Sequence, residues 1–183
     1  QVAAPFTGDQ LRVSIARHIS TRYKHRQSAI PKITYIIVKQ LEDEPGNALV
    51  FFSSYEFLLQ AESILKTRLP EHIRLLCQSR KMKETERENF IQQFSEDNNL
   101  LGLVVLGGVF GEGIDLPGDK LKGAFIATLG LPQVNPVNEH MCKIFQKQFA
   151  QAYHFTYTYP GIQKVIQAAG RVIRTSRDKG YLW

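Results

Sequence analysis

Residues 163–177, QKVIQAAGRVIRTSR, carry an amide and two guanidiniums at helical spacing. At about 100° per residue, Gln167, Arg171 and Arg174 fall within an arc of roughly 60°. Ile162, Val165, Ile166, Ala169, Val172 and Ile173 fall on the opposite side, as an apolar stripe facing a core would. Guanidiniums this close repel unless an anion lies between them or solvent screens them. Paired arginines suit the charge that develops on a transferred phosphoryl group. An exposed basic face pairing with local acids is the plainer alternative.

A second candidate is GGVFGEGIDLPGDK, residues 107–120. Its glycines at 107, 108, 111 and 113 allow positive φ and close backbone approach to a ligand. Glu112 and Asp115 add two carboxylates, suited to hydroxyl recognition, guanidinium pairing or metal binding. A dinucleotide fingerprint fits poorly, because Pro117 interrupts and no G-x-G-x-x-G opens a helix. A phosphate-cradling G-x-x-x-x-G-K-[ST] occurs nowhere. The plain alternative is a solvated glycine turn.

Elements must position these groups. Residues 1–27 are polar and basic with weak helical periodicity, and are expected to be a linker segment arriving from a preceding domain. Ser28 is expected to cap a helix with Pro31 in its first turn, ending before Pro45. ALVFFSS (48–54) reads as a strand buried on both faces. Further strands are expected over 73–78, 100–108 and 122–131. Helices are expected over 55–69, 83–96, 137–153 and 162–173. Tyr153, Phe155, Tyr157 and Tyr159 alternate like a strand and are expected to pack under the last helix. GYLW at 180–183 reads as the opening of another strand. Strands alternating with helices predict an α/β fold, with a parallel sheet and right-handed crossovers. Ligands of such sheets sit outside the carboxyl ends of the strands. The loops to inspect are therefore Ser53-Ser54-Tyr55, the loop after Gln78 and the glycine loop.

Totals set the frame. The chain has 183 residues, enough for one domain, and a net charge of +6, a bias that suits a nucleic-acid or nucleotide partner. Cys77 and Cys142 match no ligand pattern and read as reduced thiols. Five scattered histidines suggest no metal or triad spacing. No apolar run reaches the roughly 18 residues needed to span a bilayer. The first residue is Gln, and the chain reads as a piece of a longer protein.

Three strings now stand in order: ALVFFSSYEFL (48–58), GVFGEGIDLPG (108–118) and QAAGRVIR (167–174). Together they resemble motifs IV, V and VI of superfamily 2 helicases. Their wording is similar to the XPD/DinG family, as are LGLPQVNPVNEH (129–140) and YTYPG (157–161). The likeness runs from about residue 22 to residue 180.

The resemblance implies a RecA-like parallel sheet with helices on both faces, over residues 28–183: a P-loop NTPase-type domain without the P-loop itself. It would be the second of two motor domains with ATP and Mg²⁺ in the cleft between them. The N-terminal RecA-like domain would bring the phosphate loop, the acidic motif and, in many members, an iron–sulfur cluster. The resemblance makes Arg171 and Arg174 arginine fingers, with Gln167 positioning the network around the triphosphate. Asp115 would take the ribose hydroxyl or pair with a finger, and Glu112 and Gly113 would shape that loop. Ser53, Ser54, Tyr55 and Gly108 would touch the nucleic-acid backbone. The implied protein drives 5′-to-3′ movement on single-stranded or forked DNA, in the bacterial cytoplasm or a eukaryotic nucleus. The chain alone would hydrolyse no ATP. A non-catalytic RecA-like module that binds single-stranded nucleic acid or a protein stays open beside it. So does a flavodoxin-like domain with coincidental motifs, which leaves the Gln/Arg/Arg face unexplained.

Overall fold

A computed structural model describes residues 9–96, 98–107, 110, 120–173, 175 and 178–183. Six strands form one sheet: β1 (Leu11–Val13), β2 (Ala48–Phe52), β3 (Arg74–Cys77), β4 (Leu100–Val105), β5 (Gly123–Ile126) and β6 (Gly180–Leu182). Their spatial order is β1-β6-β5-β2-β4-β3, and every pairing is parallel. Five α-helices accompany them: α1 (Arg26–Asp43), α2 (Tyr55–Arg68), α3 (Glu84–Glu96), α4 (Pro136–Gln148) and α5 (Tyr159–Ala169).

The centre follows directly from the sequence. The ALVFF run of β2 is buried at all five positions, as a strand covered on both faces must be. Alternate side chains serve opposite layers. Val50 and Phe52, with Leu101 and Leu103, meet Ile37 and Leu41 of α1 and Phe57, Leu58 and Leu65 of α2. Leu49 and Phe51, with Leu100 and Val104, meet Phe90 and Phe94 of α3 and Ala168, Val172 and Ile173 near the end of the chain. Helices therefore cover both faces, as expected. Each fully buried Leu or Phe contributes about 1.5–3 kcal/mol, so β2 anchors the whole sheet. β5 approaches its neighbour closely: a Cβ on Gly123 would lie 2.1 Å from the Tyr181 ring.

The amino ends of the strands are stitched by one side chain. Asn47 is 2% exposed. Its Nδ2 donates to the carbonyls of Phe94 and Lys120, both at 3.0 Å, and its Oδ1 accepts from the Leu100 N–H at 2.8 Å. One amide thus ties the end of α3, the start of β4 and the approach to β5.

Four local expectations are corrected. Part of the basic leading segment is a strand rather than helix-like: β1 pairs with β6 in the register Leu11↔Gly180. α1 starts at Arg26 after a 3₁₀ turn (Tyr23–His25), so Ser28 lies inside the helix and its hydroxyl donates to the His25 carbonyl instead of capping. Pro31 accordingly sits past the first turn. The helix expected over 137–153 stops at Gln148, with Asn135 capping its start. The aromatic stretch is a π-helical turn (His154–Thr158) running into α5, not an extended segment. Tyr157 packs inward while Tyr153, Phe155 and Tyr159 stay exposed, so only one of the four aromatics packs as expected.

Candidate nucleotide and nucleic-acid rim

All strands point their carboxyl ends to one rim, where the Ser53-Ser54-Tyr55 tip, the loop after Gln78 and the start of the glycine loop lie, whereas Val172, next to Arg171, packs on Gly180 at the amino start of β6. β4 and β5 flank β2 on opposite sides. The chain from β4 to β5 must cross the β2 position, and such a switch point is where open α/β sheets bind ligands. That connection contains the glycine loop.

At the tip of β2 the chain turns sharply into α2. Ser54 is the N-cap: its side chain accepts from the Phe57 N–H at 3.3 Å and its carbonyl from Leu58 at 3.1 Å. The Ser53 hydroxyl oxygen is buried with no hydrogen-bond partner among the described residues. An unmet buried hydroxyl costs about 1–3 kcal/mol, a cost tolerated where a ligand supplies the partner. Tyr55 opens α2, and its hydroxyl is held by Gln78 at 2.7 Å, with the Arg80 guanidinium 5.6 Å from its ring centre. A polar cleft of about 340 Å³ adjoins Ser54 and brings in Lys24 and Arg26 from the basic leading segment. The Arg26 guanidinium lies 5.6 Å from the Tyr23 ring and 5.3 Å from that of Phe57.

Across the rim, α5 reaches the root of the glycine loop. Gly107 has φ +74°, which favours glycine. A Cβ there would meet Lys164 of α5 at 3.1 Å. The Lys164 ammonium also lies 3.4 Å from the Gly130 carbonyl, just past β5. One lysine therefore seats the last helix against both strand ends.

The Gln/Arg/Arg face takes a different form from the expected one. α5 ends at Ala169 and not near Ile173. Gly170 follows, and the chain tightens into i→i−3 bonds, Arg171 N–H to Ala168 at 3.2 Å and Val172 N–H to Ala169 at 3.1 Å. Gln167 is exposed on the last helical turn, whereas partly buried Arg171 lies in the turn beyond it. The apolar stripe is also rotated. Ala168, Val172 and Ile173 are buried and Val165 and Ala169 pack against them, but Ile162 and Ile166 are exposed. The arginine segment is pinned from beyond: Asp178 accepts from the Thr175 N–H at 2.8 Å and from its hydroxyl at 2.6 Å. Gln10, arriving from the other end of the chain, donates to the carbonyls of Thr175 and Asp178 at 3.1 and 2.9 Å. Gly108, Glu112, Gly113, Asp115 and Arg174 lie outside the described residues.

Sequence reasoning missed Gln78, Arg80 and Lys164. Gln78 offered one signal, a polar residue closing an apolar strand. Lys164 gave none, since its partners come from distant loops. An apolar cleft of about 410 Å³ opens beside β5 and β6, lined by Val13, Ile33, Phe125, Leu129, Val165 and Trp183 among others. No described member of the predicted site lines it. No helix among the described residues is long and apolar enough to cross a membrane.

Comparisons with known proteins bear on this rim. A family model described as the helicase C-terminal domain matches residues 37–183. The "Probable ATP-dependent helicase MJ0942" of Methanocaldococcus jannaschii is 26% identical over 97% of this chain and 29% of its own length. The "3'-5' exonuclease DinG" of Staphylococcus epidermidis is 25% identical over all of this chain and 20% of its own. The chain thus spans less than a third of the curated relatives it matches. A solved XPD helicase superposes with a TM-score of 0.76 at 21% identity, over 94% of this chain and 31% of that one. Domain 2 of the DEAD-box helicase Mss116p, solved bound to an RNA duplex, gives 0.58 at 18% identity, over 95% and 53%. These likenesses establish the RecA-like fold of the parallel sheet. With a family-model match over four-fifths of its length and DinG- and XPD-like relatives, this chain belongs to the helicase C-terminal domain family, in its superfamily 2 XPD/DinG branch.

Proposed function

We propose that this chain is the second motor domain of an ATP-dependent DNA helicase. Arg171 and Arg174 act as arginine fingers toward ATP and its Mg²⁺, which the N-terminal RecA-like domain of the same polypeptide holds. Gln167 orients the network around the triphosphate and the attacking water. Asp115 takes the ribose hydroxyl or steadies a finger, with Glu112 and Gly113 shaping its loop. Ser53, Ser54, Tyr55 and Gly108 contact the backbone of single-stranded or forked DNA. The observation that carries this reading is the seating of α5: Lys164 packs on Gly107, so the helix bearing Gln167 and leading to Arg171 meets the root of the acidic glycine loop.

The motor then has a simple electrostatic cycle. ATP on the facing domain attracts the two guanidiniums and closes the cleft. Hydrolysis and loss of the γ-phosphate weaken the attraction, and the cleft opens. Alternating grip by the two domains advances the strand, in the 5′-to-3′ sense. In the full-length protein Arg171→Ala should lower DNA-stimulated ATP turnover by about 10³-fold or more, with DNA binding retained. Turnover near that of the wild type would reject the finger role.

A further inference from the structure

β3 stops at Cys77, whereas β4 continues to Val105; the last aligned pair is Cys77↔Leu103. Gln78 closes this gap. Its own N–H continues the ladder to the Leu103 carbonyl at 2.9 Å. Its side-chain oxygen then accepts from the Val105 N–H at 2.8 Å, standing where the next ladder carbonyl would be. The backbone of the next residue is thereby released from the sheet. The other end of the same amide donates to the Tyr55 hydroxyl at 2.7 Å, and that hydroxyl donates to the Ser79 carbonyl at 3.3 Å. Only one orientation of the amide meets both partners, because the Val105 N–H requires an acceptor. Gln78 is 9% exposed, so water competes little for these bonds.

Two elements meet at this one side chain, and a third reaches Tyr55. Tyr55 begins α2 directly after Ser53 and Ser54. Val105 is two residues before Gly107, where the glycine loop departs. Arg80, two residues beyond Gln78, lies against the Tyr55 ring. We propose that Gln78 is a positioning residue for nucleic-acid binding: it fixes Tyr55 and the β2 tip in register with the β4 end, so that Tyr55 and the Ser53-Ser54 tip are held in one place for a single-stranded backbone. The proposal rests on the helicase reading above. Gln78 acts through Tyr55 and the Val105 amide and need not touch nucleic acid itself.

The test uses the full-length helicase, oligothymidylate as the probe, and the variants Gln78→Met, Tyr55→Phe and their combination. Met keeps the length of the side chain and removes both hydrogen bonds; Phe removes one oxygen. Each single change should raise the oligothymidylate concentration giving half-maximal ATPase stimulation by about 3–10-fold, the size expected when a buried hydrogen-bond chain behind the surface is broken. The double variant should be no worse than the weaker-binding single, because both break one chain of contacts. In Gln78→Met the KM for ATP should stay at its wild-type value. Wild-type half-saturation in Gln78→Met, or multiplicative losses in the double variant, overturns the proposal. If Gln78→Met does not fold, Tyr55→Phe alone decides, and unchanged half-saturation there overturns it. Failure of the wild type to bind oligothymidylate or respond to it would instead sink the helicase reading beneath. A stimulated wild type with unaffected variants sinks only the role of Gln78.

Discussion

Asn47 and Gln78 are both buried amides, at opposite ends of one sheet, and both substitute for missing backbone partners. Asn47 gathers the end of α3, the start of β4 and the approach to β5. These three partners are backbone atoms. Gln78 gathers β4, α2 and its own turn, and one of its partners is a side chain at the candidate site. The same chemistry closes the fold at one end and sets out a surface at the other. At the carboxyl rim the Ser53 hydroxyl is buried and unmet among the described residues, as is the Tyr181 hydroxyl of β6 beside the start of β5.

This comparison can be broken by mutation. Asn47→Ala should have the largest effect on stability, because it strands the buried Leu100 N–H and Phe94 carbonyl and releases the part-buried Lys120 carbonyl. At about 1–3 kcal/mol for each unmet buried group, the loss should exceed about 3 kcal/mol and lower Tm by roughly 6–12 °C. DNA affinity measured well below that Tm should be unchanged; a loss of affinity there would erase the distinction between the two ends. Gly107→Ala should show the reverse balance. Its φ of +74° and the Lys164 contact at 3.1 Å predict a loss of only about 1–2 kcal/mol, with a several-fold rise in KM for ATP measured by steady-state hydrolysis.

The smallest expected effect concerns Cys77, next to Gln78. Burial, reinforced by the Glu62 carboxylate, pushes its thiol up to about 12. At pH 8 about one molecule in ten thousand carries the thiolate. Cys77 should therefore resist iodoacetamide in the native protein and react on unfolding, as followed by peptide mass. Gln78→Met should speed its labelling modestly by loosening the end of β3.

Some of this was legible in advance, for identifiable reasons. β2 and β4 are continuous apolar runs, and a doubly covered strand needs nothing else to declare itself. β1 was not legible: Leu-Arg-Val is short, with two of three residues exposed, and only pairing with β6 makes it a strand. The aromatics at 153–159 alternate in sequence, yet a π-turn places them on a helix, so their period misled. Gly170 marks the end of α5 and is a stop signal of the ordinary kind; the arginine spacing drew the reading past it. The Ser53-Ser54-Tyr55 tip could be placed at the carboxyl rim from sequence because it ends an obvious strand. Gln78 was not, because its role exists only once β3 falls two residues short of β4.

The pairing of β1 with β6 has a consequence for how the protein is made. Gln10 and Asp178, hydrogen-bonded neighbours in the finished domain, are separated by 168 positions. On the ribosome β1 cannot meet β6 until nearly everything between them has emerged. The pairing of β1 with β6 therefore closes late, across the largest sequence separation of the described strand pairs. A nascent chain halted before Gly180 would carry a bare edge in place of β6 and leave the turn after Arg171 without its Gln10 clasp.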